Sequence, residues 1–561
     1  YSKRGWFERG EFRARPSDSS YVFFSYVGMV DRGIGYPPQN QGGEDARFMA
    51  ERPFGTFRGV ANVDYLSSFV FRIAFTDVYT QAIDSEVRSQ IFLSNTTNGF
   101  HFNALAERYQ NFEVCVPPPV PEPGTCSTIT QTELVRILHT PSFFLSGEER
   151  QLGNTPLYWS FESAAEGLQR REAPEGSQPG FRTAALVGRF DLAPSLVMPM
   201  QWQGWSFRPA LTLRDTFYTQ TAADEVFNRK SLEGSVELRP PALSRVFDHP
   251  WLGRKWKHVI EPRMKYDYVT GINNDPYHLP LANILRFDAN DVLTNTNEVE
   301  YSLVNRLYSK RLDANAKDCD MPRMSMLTIG GVPQVGVVPW ELPPSPDVLA
   351  CASGPREILS WEIGQKYFFD PTFGNALVAG QRNVFTSTAD FTGTAFLDSE
   401  RRFAPIISRL RIETSPRTNT EWDLDYDIKT GQINSSMALV NYHYGPFTIG
   451  GGDAFLRVID AVAGTTPTSA NEFHQFRVLF GYGQLNKRGL SAASSFGFDA
   501  DTGSLQYATA QTSYTWDCCG LNVEYRRFAL GAVRNENEYR FSFTLANIGA
   551  FGNLKRQERL Y

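Results

Sequence analysis

Long stretches of the chain alternate strictly between apolar and polar positions. Trp256, His258, Ile260, Pro262, Met264, Tyr266 and Tyr268 interleave with Lys257, Val259, Glu261, Arg263, Lys265 and Asp267. Trp422, Leu424, Tyr426 and Ile428 alternate with Asp423, Asp425 and Asp427, and Trp205 to Leu213 does the same against Ser206 to Arg214. Further runs are Phe69–Phe75, Leu232–Leu238, Val299–Leu307, Phe476–Tyr482 and Tyr539–Leu545. Successive strand side chains point to opposite faces, so each run predicts a strand with one apolar and one charged face.

A soluble sandwich alternates in the same way, its apolar face packed on a second sheet. Three features favour a membrane barrel instead. The runs approach the length that crosses a bilayer at a tilt. Aromatic residues such as Trp205, Trp256, Trp422 and Tyr268 fall near strand ends, where interfacial girdles form. The polar faces carry dense charge of both signs, which suits a wet interior. The expected fold is all-β, a large transmembrane antiparallel barrel over residues 1–561 with about 26 strands. A lumen that wide needs a plug.

Tight turns are expected at Thr430-Gly431 and Asp501-Thr502-Gly503. Gly33–Pro53, Cys115–Gly180 and Asp313–Pro355 read as long irregular segments on the outside of the cell. Residues 1–16 lead into the first strands, and 539–549 form the closing strand. Asp423, Asp425 and Asp427 face the lumen, as a solvated wall rather than an ion site.

Composition sharpens this picture. Aromatic residues make up 14% of the 561, yet no window holds the roughly 18–20 consecutive apolar residues of a membrane helix. A net charge of −6 gives no sign of a polyanion-binding surface, and nucleic acid is not an expected partner. No nucleophile elbow, zinc spacing or cofactor motif is visible, so neither catalytic residues nor a metal nor a cofactor is expected. His258 lies on an apolar face, and His443 and His474 have no motif partners. A membrane lipase is therefore the weaker reading, and the chain is not expected to be an enzyme.

The six cysteines form three pairs. Cys115 and Cys126 flank a proline-rich segment, and Cys319 and Cys351 bracket another long one; in an oxidising compartment both read as loop disulfides. Cys518 and Cys519 are adjacent. Neighbouring strand residues point to opposite faces, and a bond between them is strained. Each is expected to bond a distant partner upstream of Tyr1, in a chain cut from something longer.

An adjacent Cys-Cys pair ahead of an alternating strand near the end of a large barrel resembles the lipopolysaccharide-assembly family LptD. Tyr1-Ser2-Lys3-Arg4-Gly5-Trp6 running into Glu11-Phe12-Arg13 is similar to that family's first barrel segment after its N-terminal jellyroll. Ile260-Glu261-Pro262-Arg263, Gly364-Gln365-Lys366-Tyr367-Phe368 and the final Tyr539–Leu545 with Ile548-Gly549 have counterparts there too. The four loop cysteines do not, and the jellyroll is absent from these residues.

The resemblance implies an outer-membrane protein of a Gram-negative bacterium that translocates lipopolysaccharide into the outer leaflet. The route would be a wide lumen and a lateral gate between the first and last strands. Gly10, Phe12, Tyr539, Phe541 and Phe543 would flank that gate. Family prolines loosen the first strands; Pro16 falls in a turn here, which leaves Gly10 or an upstream proline to weaken the seam. A plug lipoprotein (LptE), a periplasmic bridge protein (LptA) acting through the jellyroll, and disulfides from Cys518 and Cys519 to that jellyroll are implied as well. The alternative is a passive or plugged uptake channel, a porin or receptor barrel.

Overall fold

The computed structural model describes residues 4–33, 39–76, 79–115, 130–173, 181–183, 186–251, 254–272, 284–311, 355–380, 383–389, 397–415, 418–459, 470–483, 488–516, 518–530, 533–545 and 549–554. Among them, 27 strand segments join in one antiparallel sheet. β1 (Gly5–Ser17), β2 (Ser20–Asp31), β3 (Gly43–Phe54) and β4 (Phe57–Leu66) form the first meander. Helices α1 (Phe69–Phe75) and α2 (Tyr79–Ala82) precede β5 (Glu86–Thr97), β6 (Phe100–Cys115), β7 (Thr130–Gln151) and β8 (Tyr158–Glu172).

β9 (Phe181–Arg182), β10 (Val187–Val197) and β11 (Met200–Trp202) run in one direction between β8 and β12 (Trp205–Tyr218), as one strand in three pieces. β13 (Phe227–Arg239) and β14 (Leu243–Trp251) likewise share β15 (Arg254–Thr270). Pro240-Pro241 divides them, because proline has no N–H to give the ladder. β16 (Thr296–Arg311), β17 (Arg356–Phe368), β18 (Ile406–Ser415) and β19 (Thr418–Asp427) follow, with the short helix α3 (Thr386–Ala389) between β17 and β18. The meander ends in β20 (Gln432–Tyr444), β21 (Phe447–Ile459), β22 (Ala470–Tyr482), β23 (Gly489–Asp499), β24 (Ser504–Thr515), β25 (Cys519–Leu530), β26 (Arg534–Leu545) and β27 (Gly549–Gly552).

The two faces of this sheet invert the pattern of a soluble protein. On β10, Arg189 and Asp191 are buried, whereas Phe190, Leu192 and Leu196 are 52%, 51% and 42% exposed. On β19, Asp425 and Asp427 are buried while Trp422 and Tyr426 are exposed. Apolar side chains that face outward need an apolar solvent, and charged ones turned inward need a wet or self-paired interior. That is the wall of a transmembrane barrel. No described helix is long and apolar enough to cross a membrane.

The two ends of the wall differ. At one end the strands turn tightly, at Asp18-Ser19, Gly55-Thr56, Asn98-Gly99 and Gly445-Pro446. At the other they are joined mostly by long segments, including the one that carries α1 and α2 and the one that carries α3. Tight turns at one rim and long loops at the other are the rule in such barrels.

Several sequence expectations are corrected here. Phe69–Phe75 is helix α1, not a strand. Its Phe-Val-Phe-Arg-Ile-Ala-Phe sequence fits both periods, and Ser68 decides for the helix by accepting the Phe71 N–H at 3.2 Å as N-cap. Cys115–Gly180 is not one long loop, because β7 and β8 lie within it; charge on their inner faces disguised them. Gly33–Pro53 similarly contains most of β3.

The strands that flank the two cysteine-bearing segments, both expected outside the cell, end at opposite rims of the wall. β6 ends with Cys115 at the long-loop end, whereas the chain leaves β16 at Arg311 and re-enters β17 at Arg356 at the tight-turn end. Arg311 is paired with Arg254 beside the β14–β15 turn, which fixes that end. Cys126, Cys319 and Cys351, and most of 313–355, lie outside the described residues, so neither loop pairing is placed.

Candidate functional site

β1, one edge of the sheet, and β26, which the short β27 borders, run in the same direction. Both start at the long-loop end and finish at the tight-turn end. This follows from counting walls: with β9–β11 and β13–β14 each taken as one strand, an odd number runs from β1 to β26. β1 and β26 therefore cannot form an antiparallel ladder with each other, whereas the short β27 is antiparallel to both and brings the count to an even number, the parity at which an all-antiparallel barrel closes.

They are nevertheless tied together at the long-loop end. Arg4, just before β1, donates to Gln41 Oε1 at 2.7 Å and faces Asp31, with its guanidinium 4.7 Å from the centre of the Phe75 ring. Gln41 in turn donates through Nε2 to the Val533 carbonyl at 3.1 Å. Arg534, the first residue of β26, donates to the Thr76 carbonyl at 2.6 Å and stacks 3.8 Å over the Phe528 ring. Val533 packs on Val70 and Ala74 of α1. Helix α1 is therefore the clasp between the chain's first and last strands.

Below the clasp the edges are differently furnished. Among the described residues β1 has ladder partners only in β2, with Gly10 opposite Tyr26 and Phe12 opposite Phe24. β26 is lined by the short return strand β27, which pairs only with Ser542–Leu545. Asn553 extends that cover: its side chain accepts the Phe541 N–H at 2.7 Å and donates to the Tyr539 carbonyl at 3.1 Å. Phe12, Tyr539 and Phe541 are 57%, 72% and 57% exposed. Gly10 and Phe12 thus lie on β1, and Tyr539, Phe541 and Phe543 on β26, and among the described residues no ladder joins these two strands.

Cys518 and Cys519 sit at the tight-turn end, where β24 meets β25, and both are free. Their Sγ atoms are 2.6 Å apart, and Cys518 is exposed.

A second arrangement, which the sequence did not signal, lies against the inner wall near the long-loop end. Residues 284–295, between β15 and β16, fold back onto β8, β10 and β12. Leu285 and Phe287 pack on Leu168 and Val187, while Ile284 joins Tyr218, Phe368, Phe373 and Phe385. At the centre is Arg189, which is 1% exposed. It donates to Glu166 at 2.9 Å, to Asp288 at 2.9 Å and to Asp291 at 2.7 Å. Tyr218 donates to Asp291 at 2.8 Å, and His139 hydrogen-bonds with Glu166 at 3.3 Å.

Burial works to raise Asp288, but hydrogen bonds and charge from Arg189 outweigh it and hold the carboxyl below its usual range. For Asp291, burial prevails and pushes the carboxyl up. His139, Glu166 and Asp288 bring three ligand atoms within 4.8 Å of one another. The guanidinium already supplies the positive charge among them, so the set reads as an ion-pair latch. A second tie joins the α3 segment to the wall, where Lys366 bonds Glu298 at 3.2 Å and the Ser387 carbonyl at 3.1 Å. None of this was legible beforehand, because the partners of Arg189 are 23, 99 and 102 residues away.

The histidines singled out from the sequence take structural places. His443 hydrogen-bonds with Thr448 at 2.9 Å, His474 with Asp453 at 2.7 Å, and His258 lies opposite Arg245 and Leu307 in the ladders of β15.

Among solved structures, the chain is similar to the FrpB iron transporter of Neisseria meningitidis (9% identity, 83% of this chain and 72% of that one, TM-score 0.24). It is also similar to the ferric-catecholate import receptor Fiu of E. coli (8%, 93% and 75%, 0.29) and to the alcaligin receptor FauA of Bordetella pertussis (10%, 95% and 79%, 0.22). No curated protein matches it in sequence. The family model for LPS transport system D matches residues 61–482, most of the chain. The chain therefore belongs to the LptD family, and is an outer-membrane β-barrel of lipopolysaccharide transport in a Gram-negative bacterium.

Proposed function

We propose that this barrel delivers lipopolysaccharide laterally, through the seam flanked by β1 and β26. An amphiphile with a large glycan and several acyl chains needs two environments at once. The lumen suits the glycan; the acyl chains must leave between strands into lipid. The observation that carries the reading is that β1 and β26 run in one direction and, among the described residues, only the four-residue β27 lies along β26 on the side away from β25. A seam with few hydrogen bonds opens at least cost.

Strand direction refines the expectation. The seam has room for one strand running from the tight-turn end to the long-loop end. β27 has that direction but pairs over only four residues of β26. Sequence upstream of Tyr1 is the source we propose: it would rise from the periplasmic side, cross once, and turn through Tyr1–Arg4 into β1. Gly10, Phe12, Tyr539, Phe541 and Phe543 then flank the gate from both sides of that strand.

With the tight-turn end taken as periplasmic, as is usual for such barrels, Cys518 and Cys519 would face the periplasm, where disulfides to an N-terminal jellyroll would form. In this reading LptA hands lipopolysaccharide to that jellyroll, LptE plugs the lumen, and the protein performs no chemistry of its own. The family match favours export over the uptake channel weighed above.

The test is a thiol-specific bifunctional linker spanning cysteines introduced at Phe12 and Phe541. Bridging the edges is expected to stop the arrival of lipopolysaccharide at the cell surface, and reversal of the linker to restore it. Unimpeded arrival with the bridge formed would sink the gate.

A further inference from the structure

Arg136, Arg171 and Arg182 stand side by side on three adjacent strands. Arg136 of β7 is the direct ladder partner of Arg171 of β8, and Arg171 is that of Arg182 of β9. Directly paired residues share a face, with Cβ atoms about 5 Å apart, and like charges so placed repel. A wall that keeps three guanidinium groups in this register calls for an anion to hold them.

The row faces outward. Arg171 shares its face with Ala165, whose partner Phe190 is 52% exposed, while Glu166 and Leu168 belong to the buried inner face. The nearest acid in sequence, Glu172, is also inward and pairs with Phe181, which packs on the Leu168 cluster. Among the described residues only Glu133 approaches, 3.8 Å from Arg136. Arg171 and Arg182 are exposed, and no described carboxylate lies within ion-pair distance of either.

The level is equally specific. Beneath the row the outward face is apolar, with Phe143, Leu145, Phe190 and Leu192 between 42% and 52% exposed. Leu186 caps this band where it lies over Gly167, and a Cβ on Gly167 would meet Leu186 Cδ1 at 2.5 Å. Arg171 is four residues further along the strand, about 13 Å, or roughly 10 Å along the membrane normal at the usual tilt. That is the headgroup layer, on the long-loop side.

We infer that Arg136, Arg171 and Arg182 form a docking site for the phosphate groups of a glycolipid in the outer leaflet. The inference rests on the family's transport of lipopolysaccharide for the identity of the leaflet lipid. Guanidinium forks match phosphate oxygens in pairs, and three in a row span more than one phosphate. The site lies several strands from the seam, so it takes lipid already in the leaflet rather than lipid in transit.

The test uses the full-length protein in phosphatidylcholine nanodiscs containing trace diphosphoryl lipid A or the same glycolipid with its phosphates removed. Retained lipid is read by native mass spectrometry. The unaltered protein is expected to retain the diphosphoryl form about a hundredfold better, each of the three basic residues at the membrane surface contributing about fivefold. Replacing all three residues by glutamine should abolish that preference, while lysine replacements should keep part of it.

A preference unchanged in the glutamine variant, or absent from the unaltered protein, overturns the site. So does full release of the lipid by millimolar inorganic phosphate, which would mark a site for free anions. Should the triple variant fail to fold, Arg182→Gln alone, on a two-residue strand, is expected to lower the preference about fivefold; no change would overturn the site equally. Retention in a disc requires no transport, so it can fail while lateral delivery stands, and the reverse.

Discussion

Gln41 and Val533, 492 residues apart, are joined by a hydrogen bond from the Gln41 side chain to the Val533 carbonyl at 3.1 Å. That bond and its neighbours are what hold the first and last strands near one another at the long-loop end. The strands themselves contribute no shared ladder.

The clasp should therefore be separable from the wall. Arg534→Ala removes the bond to Thr76 and the stack on Phe528, and is expected to destabilise the barrel by about 1–3 kcal/mol. The loss should appear as a lower temperature for the heat-induced gel shift, with faster amide exchange confined to α1 and the start of β26. Exchange rising evenly along all strands would show that Arg534 is not a local tie.

Removing Arg189 should be far more damaging than its single position suggests. Arg189→Met leaves the buried Glu166 and Asp291, and the half-buried Asp288, without their counter-charge, at a cost of about 3–5 kcal/mol. Limited proteolysis is expected to cut within residues 284–295 in this variant and to spare them in the unaltered protein. Arg189→Lys restores one charge but not the fork, and should protect that segment only partly. Equal protection in all three proteins would deny the latch.

Gly552 provides a way to detach the return strand. It has φ +132°, and a Cβ there would meet the Phe541 carbonyl oxygen at 2.2 Å. Gly552→Ala should peel β27 from β26 and speed amide exchange at Ser542–Leu545 by about tenfold or more, while β25 stays protected. Unchanged exchange would mean that β27 is held by something other than this close approach.

Replacing Cys518 and Cys519 together by serine is expected to block maturation of the full-length protein, seen as loss of its oxidised gel form and of lipopolysaccharide export. A double variant that matures and exports normally would remove the tether from the mechanism.

How much of this could be read in advance depended on how far apart the cooperating residues are. Trp205–Leu213 and Tyr539–Leu545 declared themselves as strands because the two-residue period is local. Phe69–Phe75 misled because seven apolar-rich residues satisfy two periods, and the deciding signal was the single cap Ser68. β7 and β8 were lost inside an apparent loop because an inner barrel face is charged, which local composition reads as solvent. The direction of β26 relative to β1 could not be seen at all. It depends on counting every wall between them, and breaks such as Pro240-Pro241 change that count.

Cys518 and Cys519 also bear on oxidation chemistry. Their Sγ atoms are 2.6 Å apart at the tight-turn end, so whichever is oxidised first keeps a second thiol beside its new bond. Thiol–disulfide exchange needs such a neighbouring thiolate, and a bond made to one sulfur can pass to the other without a reductant. Correct bonding there becomes a matter of exchange over time rather than of a single oxidation.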